Sequence, residues 1–79
     1  MGNYKMVRKA YTVKVDGTYY EIEIGGEYYY HGNDVEVTAV EGSVVVYNYL
    51  TGECTGEEDC CSLDEFVGQN PECEISEED

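Results

Sequence analysis

The sequence predicts a mainly β protein: a small antiparallel five-stranded barrel or curved sheet, closed by one short C-terminal helical turn. Three observations carry this. Apolar and polar residues alternate with period two over much of residues 4–50, the mark of half-buried strands. Glycine-bearing turn pairs interrupt that alternation every few residues, a spacing too short for helices. With 79 residues the chain has material for one core and no second one. The reading is therefore one β domain over residues 1–68, followed by an acidic, flexible tail over 69–79.

Each element follows in order. Residues 4–15 place Val7, Tyr11, Val13 and Val15 on one side and Arg8, Thr12 and Lys14 on the other. Asp16-Gly17 is a two-residue hairpin signal, because both central positions of a type I′ turn need positive φ. Residues 18–24 turn Tyr20, Ile22 and Ile24 inward and Tyr19, Glu21 and Glu23 outward. Gly25-Gly26 ends that strand, residues 27–31 give a short third one, and Gly32-Asn33-Asp34 turns the chain again. Residues 35–40 set Val35, Val37 and Ala39 against Glu36 and Thr38, and Glu41-Gly42 leads into residues 43–50. That fifth strand is apolar on both faces, Val44, Val46 and Leu50 against Val45, Tyr47 and Tyr49. Such a strand is buried on both sides or meets a partner on one. Residues 52–59 read as an acidic loop. Ser62 through Glu65 fits a capping box, with a helical turn through Phe66 and Val67 that ends at Gly68. Pro71 and five acids make the remainder a tail.

The order of these elements resembles SH3-like small barrels over roughly residues 18–68. The resemblance is carried by the Glu27-Tyr28-Tyr29-Tyr30-His31-Gly32 hairpin, the Val-rich strand and the closing Asp64-Glu65-Phe66-Val67 turn. It implies a highly curved barrel, a fold that hosts many functions.

Charge is distributed very unevenly. Lys5, Arg8, Lys9 and Lys14 are the only basic residues, all 18 acids follow them, and the net charge is −14. Solubility of a small domain needs a magnitude of only about 2–8. The excess opposes folding through self-repulsion, so it points to a partner. Nucleic acid and anionic membrane are both repelled, which argues against direct binding to either and leaves a basic protein surface, a cationic peptide or a metal ion. Eleven acids fall in residues 53–79, including Glu53, Glu57, Glu58, Asp59, Asp64 and Glu65. A compact domain of this length is about 30 Å across, and about 30 Å of duplex carries about 18 phosphates. In size, charge and carboxylate runs the chain resembles small acidic phage-encoded inhibitors, the anti-CRISPR and anti-restriction DNA mimics. That resemblance implies occlusion of a basic site on a nucleic-acid-binding protein, and a host-cell cytoplasmic location.

Nine tyrosines form the second feature. Tyr19, Tyr20, Tyr28, Tyr29 and Tyr30 fall in one predicted hairpin, where consecutive residues face opposite ways, so some rings are exposed. Exposed Tyr beside carboxylates suits Arg and Lys, through cation–π contact and ion pairing. Tyr19, Tyr29, Tyr47 and Tyr49 are the candidate contact rings. They equally suit the alternative reading, an SH3-like peptide-binding or virion module.

Other chemistry finds little support. Cys54, Cys60, Cys61 and Cys73 lack the paired C-x2-C spacing of zinc sites and sit among acids that disfavour a thiolate. They read as free thiols, with one disulfide or a metal site as alternatives. His31, the single histidine, lies at a hairpin end. No phosphate loop, nucleophile triad or spaced Ca²⁺ ligand set is present, so neither catalysis nor a cofactor is expected. No apolar run approaches the roughly 20 residues of a membrane span. Residues 1–10 lack a signal-peptide core, and Met6 stands where a myristoylation motif has Ser or Thr.

Overall fold

A computed structural model of the chain describes residues 9–75. Among them run strands β1 (Ala10–Val15), β2 (Thr18–Glu23), β3 (Glu27–Tyr30), β4 (Asn33–Glu41), β5 (Val44–Tyr49) and β6 (Glu58–Ser62). Helix α1 (Leu63–Gln69) and a 3-10 turn (Pro71–Cys73) follow. The strands form two antiparallel sheets, β1-β2 and β3-β4-β5-β6. The fold is thus mainly β and antiparallel, but no closed barrel exists among the described residues. The predicted strand pairing at residues 4–8 lies outside them.

Tight turns fix the register. Asp16 and Gly17 both take positive φ, 52° and 81°, and pair Val15 with Thr18. His31 and Gly32 repeat this geometry at 49° and 84° between β3 and β4. These mirror-image turns match the right-handed strand twist, which explains why two residues suffice. Gly25-Gly26 carries the chain from one sheet into the other, since the Gly25 N–H donates to Val37 O at 2.8 Å and Val37 N–H to Gly26 O at 3.1 Å. The tyrosines expected in one hairpin are consequently divided, Tyr19 and Tyr20 on β2 and Tyr28, Tyr29 and Tyr30 on β3.

A bulge overturns one facing assignment. The β4–β5 register shifts between Val37 and Ala39, so Val37 opposes Tyr47 while Ala39 opposes Val46 and Val40 opposes Val45. The extra residue, Thr38, sends Ala39 to the outer face and brings Val40 against the core. Period-two counting cannot anticipate a bulge.

The core lies between the sheets and α1. Ile22 from β2, Val35, Val37, Val45 and Tyr47 from the larger sheet, and Phe66 from α1 are at most 1% exposed. Each such side chain contributes roughly 1.5–3 kcal/mol by leaving water. Phe66 meets Tyr28 edge-on at 5.4 Å and stacks with Tyr47 at 6.5 Å. Ser62 caps α1 as expected, its Oγ accepting from the Glu65 N–H at 3.4 Å.

Two segments differ from expectation. Residues 58–62, given to a loop and its flank, form the sixth strand, β6, paired along β5 from Val44↔Ser62 to Asn48↔Glu58. The acids hid its period, because Glu58 and Asp59 face water on both sides. Residues 69–75 are not a tail but part of the fold. Asn70 is 0% exposed, Cys73 is 6% exposed, and the Ile75 N–H donates to Tyr19 O at 3.0 Å. Asn70 also replaces a missing strand beside β3. Its Oδ1 accepts from the Tyr29 N–H at 2.9 Å, and its Nδ2 donates to Tyr29 O at 2.7 Å. The Gln69 side chain extends this cover, accepting from the His31 N–H at 2.8 Å. The remaining four residues of the predicted tail, 76–79, lie outside the described part.

Candidate functional site

The larger sheet has two edges that differ sharply. The β3 edge is covered by Asn70 and Gln69, as described above. The β6 edge carries acids instead. Tyr49 N–H donates to Glu57 O at 2.9 Å and Leu63 N–H to Ser43 O at 2.8 Å, and these two bonds bracket the β5–β6 ladder. Between them the backbone of Glu58, Cys60 and Ser62 faces away from β5. Charged residues on an edge strand oppose pairing with another neutral or acidic strand. Asp59 strengthens that guard, since its Oδ1 accepts from the Cys60 N–H at 2.8 Å.

Six candidate acids gather around this edge. Glu57 precedes β6, Glu58 and Asp59 lie on it, Asp64 and Glu65 open the helix that follows, and Glu53 sits in the preceding turn; all are exposed. The five residues of β6 extend about 17 Å. Asp64 and Glu65 also face the positive end of α1, where carboxylates are favoured. Glu65 has a structural task too: its Oε1 accepts the Tyr30 hydroxyl at 2.8 Å.

The four candidate tyrosines do not converge. Tyr49 joins the acidic edge, its hydroxyl donating to Asp59 Oδ2 at 3.3 Å. Tyr29, 49% exposed, stands on β3 at the opposite edge, three strand spacings or about 14 Å away. Tyr19 belongs to the other sheet, with the Lys14 ammonium 5.3 Å from its ring centre. Tyr47 is 1% exposed and stacks within the core, so it cannot serve as a contact ring. An apolar strand with two faces gave no sign of which face the protein itself covers; the Val45–Tyr47–Tyr49 face is the covered one.

Titratable groups near this edge are shifted by burial. Desolvation raises the Tyr30 hydroxyl, assisted by the neighbouring Glu65 carboxylate, and raises Tyr47, assisted by Tyr49 and Cys61. Burial also raises the Cys61 thiol, against hydrogen bonding from Tyr30 that lowers it. Cys73 is pushed up to about 11 by burial, then by Glu72. All four cysteines are free thiols, and the alternation of β6 points Cys60 and Cys61 to opposite faces. Raised thiols and phenols are protonated at neutral pH, which suits packing rather than nucleophilic chemistry. Among the described residues no three His, Cys, Asp or Glu side chains converge to hold a metal ion, and no helix is long and apolar enough to cross a membrane.

The outer face of the larger sheet is the feature that residue-by-residue reasoning missed. Cross-strand pairs place Glu27 with Glu36, Asp34 with Tyr29, Ala39 with Val46, Glu41 with Val44 and Cys60 again with Val46 on that face. Nothing among the described residues covers it. The two-faced apolar pattern of residues 43–50 was its signal in the sequence. No protein-family model, curated protein or solved structure matches this chain.

Proposed function

We propose that this chain is a non-enzymatic acidic binding protein that occludes a basic, nucleic-acid-binding surface on another protein, in the manner of a phage-type inhibitor of a defence nuclease. The observation that carries the reading is the run Glu57-Glu58-Asp59 leading into the open edge strand β6, with Glu53 in the turn before it and Asp64 and Glu65 in the helix after it. A cluster of carboxylates at the start of an edge strand attracts Lys and Arg at a distance and engages them on contact. Association is then fast and strongly salt-dependent, and inhibition follows from steric and electrostatic blocking.

The test is a triple variant, Glu57→Gln, Glu58→Gln and Asp59→Asn, which keeps side-chain size and removes three charges. Its association rate with the captured basic partner should fall about tenfold or more at low salt and converge on the parent's at high salt. Equal rates at low salt would remove the β6 edge from the account.

One observation favours a second reading. Tyr29 is a large ring half exposed on a face with little cover, as a peptide-binding or structural module would require. Binding by that route survives high salt and falls on Tyr29→Ala. The burial of Tyr47 and the placement of Tyr19 and Tyr29 on different sheets weigh against a single tyrosine groove.

A further inference from the structure

We infer that the outer face of the four-stranded sheet, centred on Val44 and Val46, is a docking surface for an arginine-rich, amphipathic protein segment. The inference rests on the acidic-partner reading above and deepens it by adding an apolar contact.

The β5 strand is apolar on both faces, but the protein covers only one. Val45 and Tyr47 are buried, while Val44 is 37% exposed and its neighbours Val46 and Ala39 are only half-buried. Exposed Val44 and half-buried Val46, with the exposed Cys60 opposite Val46, form an apolar centre. Glu27, Asp34, Glu36, Glu41 and Glu58 surround it on the same face. A hollow of about 360 Å³ lined by Val46, Glu58, Asp59 and Cys60 runs from this centre to the acidic edge.

Charge selects the occupant. Every Lys and Arg of the chain lies at or before residue 14, so the four strands of this sheet carry none. A second copy laid face to face would set these carboxylates against their own kind. An anionic lipid surface or nucleic acid is repelled likewise. An arginine-bearing segment fits both parts of the surface, because the side chain lays its methylene stem along valines while its guanidinium reaches a carboxylate. In the hollow, that stem lies on Val46 and Cys60, and the guanidinium reaches the Glu58 carboxylate.

Two synthetic peptides of equal charge test this, one alternating Arg and Val and the other a Lys homopolymer, titrated into the full chain at about 0.15 M salt. The Arg-Val peptide should shift the amide NMR signals of Ala39, Val44, Val46 and Cys60. The variant Val44→Thr/Val46→Thr, verified as folded by circular dichroism, should bind it about fivefold more weakly while binding the Lys peptide unchanged. If the pair fails to fold, Val44→Thr alone at its exposed site should give a smaller loss of the same kind. Equal loss for both peptides, or shifts confined to residues 53, 57–59 and 64–65, would overturn the docking face and leave the acidic edge standing. Binding of neither peptide would remove the acidic-partner reading itself. A dimer that Val44→Arg dissociates would assign the face to a second copy and overturn the inference.

Discussion

At the scale of single residues, Asn70 does more than its place in an acidic segment suggests. Its side chain, itself 0% exposed, satisfies both backbone groups of Tyr29 and donates to Phe66 O at 3.0 Å. Asn70→Ala leaves the buried Phe66 carbonyl and the part-buried Tyr29 backbone without these partners, so stability should fall by about 2–4 kcal/mol, measured by urea unfolding. A change under about 0.5 kcal/mol would mean that water replaces the amide freely. Cys73 links stability to pH. Its folded value is raised from 9.0 to about 11, so its contribution is complete below 9 and is lost as pH rises through 11. The unfolding midpoint should decline over that window, and Cys73→Ala should flatten the decline. Buried tyrosines with raised values add to the same slope at still higher pH. None of this was legible in sequence, because a buried Asn and a buried Cys in a Pro- and Glu-bearing stretch look like solvated tail. Tyr47 is the converse case: an aromatic on a two-faced apolar strand that reads as a contact ring and proves to be core.

At the scale of elements, local turn chemistry was the most legible part. The Asp16-Gly17 turn, the Ser62 cap and the inward face of β2 all follow from residue types whose conformational needs are local. What escaped depends on pairing. The bulge at Thr38 and the strand β6 exist because β5 is there to pair with, and no local pattern announces either. Docking of residues 69–75 is of the same kind, and it yields a prediction that separates fold from tail. Truncation after Gly68 should destabilise the protein by several kcal/mol or prevent folding, since it removes Asn70, Cys73 and the Ile75–Tyr19 bond. If the shorter chain melts like the parent, the docked segment contributes little.

At the scale of the whole molecule, charge and shape set the kind of recognition available. The described residues measure 43 × 42 × 20 Å, so duplex of the same length carries about 25 phosphates against the 15 acids among them (18 in the whole chain, less Glu77, Glu78 and Asp79). Replacement of an entire duplex face is therefore a poor fit. A net charge of −14 also opposes the compact state. Raising salt from about 0.01 M to about 0.3 M should raise the thermal midpoint by screening that repulsion, whereas a falling midpoint would show that attractive pairs dominate. The charge imbalance itself was plain in the sequence; its placement on an open edge and beside an uncovered apolar face required the strand order. The most direct measurement is parallel capture from a cell lysate on the immobilised parent and on the Glu57→Gln/Glu58→Gln/Asp59→Asn variant, eluted with a salt gradient and identified by mass spectrometry. The account predicts a basic nucleic-acid-binding protein that the parent retains, moderate salt or added duplex DNA releases, and the variant fails to hold. Equal retention on both surfaces, or partners that withstand high salt on the parent, would contradict it.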